Sequence, residues 1–261
     1  MKNIVYPDAS EGIEETLAGH RRESLEKLGD LKIFYDTPEN HQEFLKRIDG
    51  AHALLVGWAL PADVMAQTPT LEILSFTGIG ASNFIDLPAA AAQGITVCNC
   101  PGYADNTVAE HTLALLLAAA RHVPQLDAEL RDGRWNQSLD GMELRGKQLG
   151  IIGFGGIGRR VFELARAFGM AVKVWTRNPS EARAREHGVE FVSLDKLLQT
   201  SDVVSLHIAL TDDTKGLINA VRIKQMKPGA LLINTARGEI VDESALVDAL
   251  KERHLKAAGL D

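Results

Sequence analysis

Apolar and polar positions alternate along the chain with two different spacings. In the first hundred residues, short apolar runs predict strands at 3–6, 31–35, 53–56, 73–76 and 95–98. The segments between them, around 11–28, 39–48, 61–67 and 87–93, repeat their apolar residues at helical spacing. Strands that alternate with helices in this way indicate a parallel sheet covered by helices on both faces.

The second half continues this alternation after a long apolar helix. Thr107-Val108-Ala109-Glu110 has the pattern of a capping box, and the helix that it opens is apolar nearly all round through Ala120, as buried helices are. Further strands are predicted at 149–152, 171–175, 191–192, 203–206, 230–234 and 256–260, with helices at 157–168, 194–199 and 242–250. The predicted fold class is therefore α/β, with two doubly wound parallel-sheet lobes.

A glycine-rich turn joins the strand at 149–152 to the helix that follows. Its residues are Gly153, Phe154, Gly155, Gly156, Ile157 and Gly158. A GxGxxG pattern between a strand and a helix is the dinucleotide fingerprint. Its first glycine permits the tight turn, its second lets the backbone approach a diphosphate, and its third lets helix and strand pack closely. The alternative is a glycine-rich turn that binds no ligand.

The end of the second strand of this unit bears on which dinucleotide is bound. A carboxylate there would bind the ribose 2′-hydroxyl of NAD, but this chain has Thr176, Arg177 and Asn178. No acid repels a 2′-phosphate at this place, and the guanidinium is placed to pair with one. We therefore expect NADP in preference to NAD. The alternative role of Arg177 is that of a solvated loop cation.

Composition and charge narrow the class of protein. The chain has 261 residues, 45% of them apolar, and a net charge of −7 without a basic run, so we expect no nucleic-acid partner. No apolar run has membrane-spanning length, and the first residues resemble a strand more than a signal peptide, so the expected location is the cytoplasm. Cys98 and Cys100 match neither a redox motif nor a zinc site, and we expect reduced thiols.

Polar residues follow three of the predicted strands in the second half. They are His207, Arg237 and Asp261. In a doubly wound sheet, ligands bind outside the carboxyl ends of the strands, so a reaction site is expected there. His111 and His122 flank the long helix without a second ligand at suitable spacing, and we therefore expect no metal site.

Several segments together resemble the D-2-hydroxyacid dehydrogenase family. They are FTGIGASNFIDL at 76–87, GYADNTVAEHTLALLLAAAR at 102–121, GFGGIGR at 153–159, DVVSLHIALTDDTKGLIN at 202–219, KPGALLINTARGEIVDESAL at 227–246 and AAGLD at 257–261. The resemblance implies a flavodoxin-like substrate lobe and a Rossmann nucleotide-binding lobe, with substrate and NAD(P)H in the cleft between them. The breaker cluster Cys100-Pro101-Gly102-Tyr103 divides these lobes into 1–100 and 101–261.

The resemblance also implies roles for individual residues. Arg237 would hold the carboxylate and carbonyl of a 2-oxo acid, which suits its planar fork of donors. Backbone N–H groups of the loop Ile79-Gly80-Ala81 would bind the same carboxylate. Besides the glycine-rich turn and 176–178, the residues implied for the cofactor are Val108, His207, Thr235, Ala236 and Asp261. For His207, an equal alternative is that its imidazole only forms hydrogen bonds within the protein at the end of the strand and contacts no ligand.

The activity that the resemblance implies is hydride transfer between NAD(P) and a small 2-oxo or 2-hydroxy acid of the D series. The family's catalytic histidine and its glutamate partner lie after the AAGLD motif, so we expect either that the natural protein continues past Asp261 or that this is an inactive truncated form. A non-catalytic dinucleotide-binding regulator is the alternative, since fold alone does not decide. No extra cationic cluster marks a phosphorylated substrate, which favours glyoxylate or hydroxypyruvate. The family further implies a homodimer.

Overall fold

The computed structural model describes residues 1–9, 12–60 and 62–261, which form two compact units. The first unit is Met1–Tyr103 and the second is Ala104–Asp261. The division therefore falls after residue 103, at the end of the breaker cluster, and not after residue 100. Within the described ranges, no helix combines the length and the apolar character needed to cross a membrane.

The first unit contains a five-stranded parallel sheet. Its strands are β1 (Lys2–Tyr6), β2 (Gly29–Ile33), β3 (Ala53–Val56), β4 (Ile73–Phe76) and β5 (Thr96–Cys98), in the order β2-β1-β3-β4-β5. Its helices are α1 (Ile13–Leu17), α2 (His20–Glu26), α3 (His41–Ile48), α4 (Ala62–Ala66) and α5 (Leu87–Ala92), with a 3-10 helix at Ala81–Asn83. This strand order is that of flavodoxin-like sheets and confirms the predicted lobe type.

Two predicted elements of this unit are wrong in their bounds. The single helix expected over 11–28 is two helices, because Gly19 between α1 and α2 adopts φ 63°. The second strand lies at Gly29–Ile33 and not at 31–35, since it pairs in register with β1 from Lys2 to Tyr6. The predicted starts of helices at Glu11 and Pro61 lie outside the described residues.

The second unit contains a six-stranded parallel sheet. Its strands are β6 (Gln148–Ile152), β7 (Ala171–Trp175), β8 (Glu190–Phe191), β9 (Val203–Leu206), β10 (Ala230–Asn234) and β11 (Leu255–Leu260), in the order β11-β10-β9-β6-β7-β8. Its helices are α6 (Asp105–Arg121), α7 (Val123–Arg131), α8 (Gly156–Ala167), α9 (Glu181–His187), α10 (Leu194–Thr200), α11 (Ala220–Gln225) and α12 (Glu243–Lys251), with a 3-10 helix at Gly238–Ile240. This is the Rossmann order, which confirms the predicted fold class.

Two apolar clusters cover the two faces of the second sheet. Leu149, Ile151 and Leu231 point towards α6 and α8, whereas Val204 and Leu232 point towards α10, α11 and α12. Adjacent residues of a strand face opposite sides, so a sheet buried on both sides has continuously apolar strands. The carboxyl ends of β6, β7, β9 and β10 therefore meet along one edge of this double-sided core.

The predicted capping box is wrong, and three helices were not predicted. The helix α6 begins at Asp105, so Thr107 and Glu110 lie inside it, and its N-cap Ala104 has no side-chain hydrogen bond. In place of a capping side chain, the acid Asp105 in the first turn interacts favourably with the positive end of the helix dipole. The helices α7, α9 and α11 are short and carry many polar residues, so they lack a clear apolar stripe.

Candidate functional site

The glycine-rich turn has different surroundings at its three fingerprint positions. Gly153 has φ 104°, and its N–H donates to the carbonyl of Trp175 at 2.8 Å. A Cβ on Gly153 would overlap the carbonyl oxygen of His207, and a Cβ on Gly158 would overlap that of Gly153. At Gly155, the N-cap of α8, a Cβ would meet no protein atom within 4 Å. Packing therefore requires the first and third glycines, while the second faces open space.

A cavity of about 250 Å³ adjoins this turn. It is lined by residues 153–155, by 175–177 at the end of β7, and by 207–209, Thr211 and Thr214 after β9. The structure thus brings the first half of the glycine-rich turn, Thr176, Arg177 and His207 to one place. Asn178 does not line the cavity. A concave site at the carboxyl ends of the central strands is where ligands of this fold bind.

The Arg177 side chain lies at the rim of this cavity. Its Nη2 atom is 3.4 Å from Thr211 Oγ1 and 3.7 Å from Asp213 Oδ2. Both members of the ion pair are more than half exposed, at 55% and 81%. An exposed pair of this kind contributes about 1 kcal/mol or less, so a bound anion would compete with Asp213 easily.

Arg183 braces the turn, a role that the sequence did not reveal. Its Nη2 donates to the carbonyl of Phe154 at 2.8 Å, and its Nη1 donates to the carbonyl of Asn178 at 3.0 Å. The guanidinium also lies over the rings of Phe154 and Phe191. Arg183 therefore links the glycine-rich turn to the loop after β7. The available sequence signal was Ser180, which caps α9 and places Arg183 in the first turn of that helix.

His207 is held in its neutral form at the end of β9. Its backbone N–H donates to the carbonyl of Ile152 at 2.7 Å, and its ring atom Nε2 lies 2.8 Å from Ser205 Oγ. Burial lowers the pKa of His207 from 6.5 to about 4. At neutral pH the imidazole is therefore uncharged.

The free energy of unfolding is expected to fall as the pH drops from about 6.5 towards about 4. In this window the unfolded histidine takes up a proton that folded His207 does not, so protonation favours the unfolded chain. The effect levels off below the folded pKa and amounts to at most about 3 kcal/mol. Urea unfolding at a series of pH values checks this, with His207→Gln as the comparison. An equal pH slope in both proteins would show that other groups cause the loss.

The turn after β10 is organised by a buried asparagine. Asn234 is 3% exposed; its Nδ2 donates to the carbonyl of Arg237 at 2.9 Å, and its Oδ1 accepts from the N–H of Ala236 at 3.0 Å. Arg237 is half-buried and extended, with φ −149°, and its Nη1 donates to the carbonyl of Ala236 at 2.6 Å. The strand end therefore presents Arg237 from a fixed loop.

One side of α6 contacts the same sheet edge. The hydroxyl of Thr112 donates to the carbonyl of Val108 at 2.7 Å and lies 2.9 Å from the hydroxyl of Thr235. A hydroxyl has one proton, so Thr235 is the donor of the second bond. Asp261 donates its N–H to the carbonyl of Asn234, and its Oδ1 is 3.5 Å from Nε2 of His111. Val108, Thr235 and Asp261 are thus gathered by α6 and β10.

The loop after β4 belongs to the first unit. The carbonyl of Ile79 accepts from Asn99 Nδ2 at 2.6 Å and from the N–H of Ala81 at 3.2 Å. Gly80 lies between them and has φ −91°. Asn99 was not predicted to matter here, and its position directly after β5 was the available signal. In the described part of the chain, no three His, Cys, Asp or Glu side chains are grouped so that they could hold a metal ion.

The chain is an α/β protein with a flavodoxin-like unit and a Rossmann unit that carries a dinucleotide fingerprint. The family described as "D-isomer specific 2-hydroxyacid dehydrogenase, NAD binding domain" matches residues 113–261. The chain belongs to this family. That confirms the resemblance found in its sequence, and with it a nicotinamide dinucleotide as the family's cofactor.

Individual relatives support the same assignment. The chain is 41% identical over 238 residues to a D-3-phosphoglycerate dehydrogenase of Mycobacterium bovis, covering 90% of this chain and 45% of that protein. It is 41% identical over 251 residues to a glyoxylate reductase of Aeropyrum pernix, covering 92% and 74%. The chain therefore spans less than half of the mycobacterial relative.

Solved structures show the same architecture. An acyclic imino acid reductase in complex with NADPH and D-Arg superimposes with a TM-score of 0.86 and 32% identity, covering 99% of this chain and 82% of that one. A glyoxylate reductase from Paecilomyes thermophila superimposes with a TM-score of 0.88 and 30% identity, covering 100% and 81%.

Proposed function

We propose that this protein is an oxidoreductase that transfers a hydride between a nicotinamide dinucleotide and a small 2-oxo or 2-hydroxy acid of the D series. The observation that carries the proposal is the open face of Gly155, in a turn whose other two fingerprint glycines are packed against the protein. A Cβ would occupy this space, which adjoins the start of α8, where the first N–H groups of a helix have no partner within the helix. Both features suit a diphosphate.

The chain's own residues would bind and orient the reactants. A bound nicotinamide would supply or accept the hydride, and the proton that the substrate oxygen gains or loses would be exchanged with solvent. The positively charged guanidinium of Arg237 would bind the acid and stabilise negative charge on it. Val108, Thr235, Ala236 and Asp261 would surround the nicotinamide half of the cofactor. Binding of the acid by the loop Ile79-Gly80-Ala81 stays a prediction.

The proposed substrate is a small acid without a phosphate group, such as glyoxylate or hydroxypyruvate. A phosphate group would need a cationic partner. In the described part of the first unit, the guanidinium of Arg47 is buried and its charge is already neutralised by Asp36 and Glu43, so Arg47 does not suit that role. The test is a screen of glyoxylate, hydroxypyruvate, pyruvate and 3-phosphohydroxypyruvate with NADH and NADPH, which follows oxidation of the cofactor. Cofactor binding without turnover of any acid would favour a non-catalytic regulator.

NADPH is expected to bind about tenfold or more tightly than NADH, since a charge-assisted bond from Arg177 to the 2′-phosphate contributes roughly 1.5–3 kcal/mol. Thr176→Asp should reverse this order, because its carboxylate would accept from the ribose hydroxyls of NADH and repel the phosphate. Titrations at low and high salt measure both affinities, and salt should weaken the preference. Arg177→Ala is the matched control, since it should equalise the two affinities. Equal affinities in the wild type at low salt would refute the NADP preference.

The protein is expected to be a homodimer in which a second copy covers α7. This helix has no buried residue, and Val123, Leu130 and Trp135 of the same stretch are 53%, 55% and 75% exposed. Exposed large apolar side chains are a feature of interaction surfaces. In sedimentation velocity we expect a dimer for the wild type and a monomer for Leu130→Glu. Val221→Glu, at an apolar residue that is 66% exposed on another helix, is the control and should leave the dimer intact.

We further propose that the protein works in the cytoplasm. Cys98 and Cys100 are free and exposed thiols, which suits a reducing compartment. Fractionation of cells with an antibody against the protein would test this location.

A further inference from the structure

A carboxylate that has no assigned role lies beside the glycine-rich turn. Asp105 is the first residue of α6 and is partly exposed. A Cβ built on Gly156 would overlap both carboxylate oxygens of Asp105, so the carboxylate lies directly against the backbone of Gly156. Among the described residues, it has neither a hydrogen-bonded partner nor an ion pair. A side chain at position 156 would therefore displace the Asp105 carboxylate from this place, which is a separate matter from the three fingerprint positions.

Asp105 lies in a row of site residues along the edge of the second sheet. Gly155 lines the cavity at the end of β7, and the next residue, Gly156, contacts Asp105. Val108 is three residues further along α6, on the same side of the helix, and Thr112 continues this side to Thr235. Asp105 thus lies between the turn that would hold a diphosphate and the residues that would hold a nicotinamide.

A dinucleotide that extends along this edge would have its second ribose at this point. Its parts follow in the order adenosine, diphosphate, ribose and nicotinamide, and the site residues follow in the same order along the edge. An ionised carboxylate only accepts hydrogen bonds, and the two ribose hydroxyls are donors. The same chemistry recognises the adenosine ribose in proteins that have an acid at the end of the second strand.

We propose that the Asp105 carboxylate accepts hydrogen bonds from the hydroxyls of the nicotinamide-side ribose. This inference rests on the proposed dinucleotide-dependent function and adds a cofactor-binding residue to it. The positive ends of α6 and α8 both face this carboxylate, which lets an ionised acid remain close to a diphosphate. Asp105 would accordingly select a ligand that continues beyond the diphosphate into a ribose.

Two other roles of Asp105 lead to different results. A purely structural role at the start of α6 would change the melting temperature and would affect all ligands of the site equally. A role as a repelling anion would make every diphosphate ligand bind more tightly once the charge is removed. The ligands ADP and ADP-ribose separate these roles, because ADP-ribose has the additional ribose and ADP does not.

The experiment is isothermal titration of the whole protein with ADP-ribose and ADP, with NADH and NADPH in parallel. Asp105→Ala is expected to weaken ADP-ribose on the order of ten- to hundredfold and to weaken ADP by less than about threefold. Asp105→Asn should be intermediate, because its amide oxygen still accepts one hydrogen bond. Glu110→Gln, an exposed acid on the same helix, is the matched control and should bind both ligands as the wild type does.

Each outcome supports or overturns the assignment. A selective loss of ADP-ribose affinity, at an unchanged melting temperature, supports it. Equal changes for both ligands, or tighter binding of ADP-ribose by Asp105→Ala, overturn it and leave the proposed function standing. If the wild type binds neither NADH nor NADPH, the proposed function itself fails.

Discussion

Replacement of Arg237 by alanine is expected to lower kcat for a 2-oxo acid on the order of 10²- to 10³-fold. Asn234 holds the backbone of the loop that carries Arg237 with two hydrogen bonds, so in the proposed role the guanidinium would be preorganised for negative charge on the acid. Removing a preorganised charge costs more than removing a mobile one, because a preorganised group needs no reorganisation when charge develops in the reaction. Steady-state kinetics with the best acid of the screen measure this loss.

Companion variants distinguish binding of the acid from a general loss of positive charge. Arg237→Lys should recover little activity, since an ammonium lacks the planar fork that binds a carboxylate through two bonds. Arg185→Ala removes an exposed arginine of α9 and should keep normal rates. The affinity for the reduced cofactor should stay close to that of the wild type in all three proteins. Near-normal turnover of Arg237→Ala would exclude the proposed role.

Gly153→Ala is expected to lower the free energy of unfolding, whereas Gly155→Ala is expected to weaken binding of the cofactor. Gly153 has φ 104°, and its Cβ would overlap the carbonyl of His207, so Gly153→Ala should lose at least about 3 kcal/mol of unfolding free energy. Gly155 has φ −84° and an open Cβ direction, so Gly155→Ala should fold within about 1 kcal/mol of the wild type.

The cofactor affinity then separates the two glycines. Gly155→Ala should weaken NADH and NADPH by about tenfold or more, because its methyl group would take the space of the diphosphate and break its charge-assisted bonds. Urea unfolding and cofactor titration of both variants give the result. A stable Gly155→Ala protein with unchanged cofactor affinity would contradict the proposed diphosphate position.

Much of the fold follows from local sequence patterns. Strands such as β6, β9 and β10 are short, continuously apolar runs, and this pattern identifies strands buried on both faces. The glycine-rich turn was recognised because its glycines stand at fixed spacing between a strand and a helix. Periodicity was less useful for α7 and α9, in which no residue is buried, because no apolar stripe marks a helix that lies on the surface.

The α/β class, the fingerprint and the candidates Arg177, His207 and Arg237 could be predicted from the order of residues, because they depend on neighbours in the chain or on motifs in a recognisable order. The residues that support these candidates could not be predicted, because they come from distant parts of the chain. Arg183 donates to the carbonyl of Phe154, which is 29 positions away in the chain, and the carboxylate of Asp105 on α6 lies against Gly156 on α8. The protonation of His207 was also undecidable from the sequence, since its pKa of about 4 results from burial, a property of the folded chain.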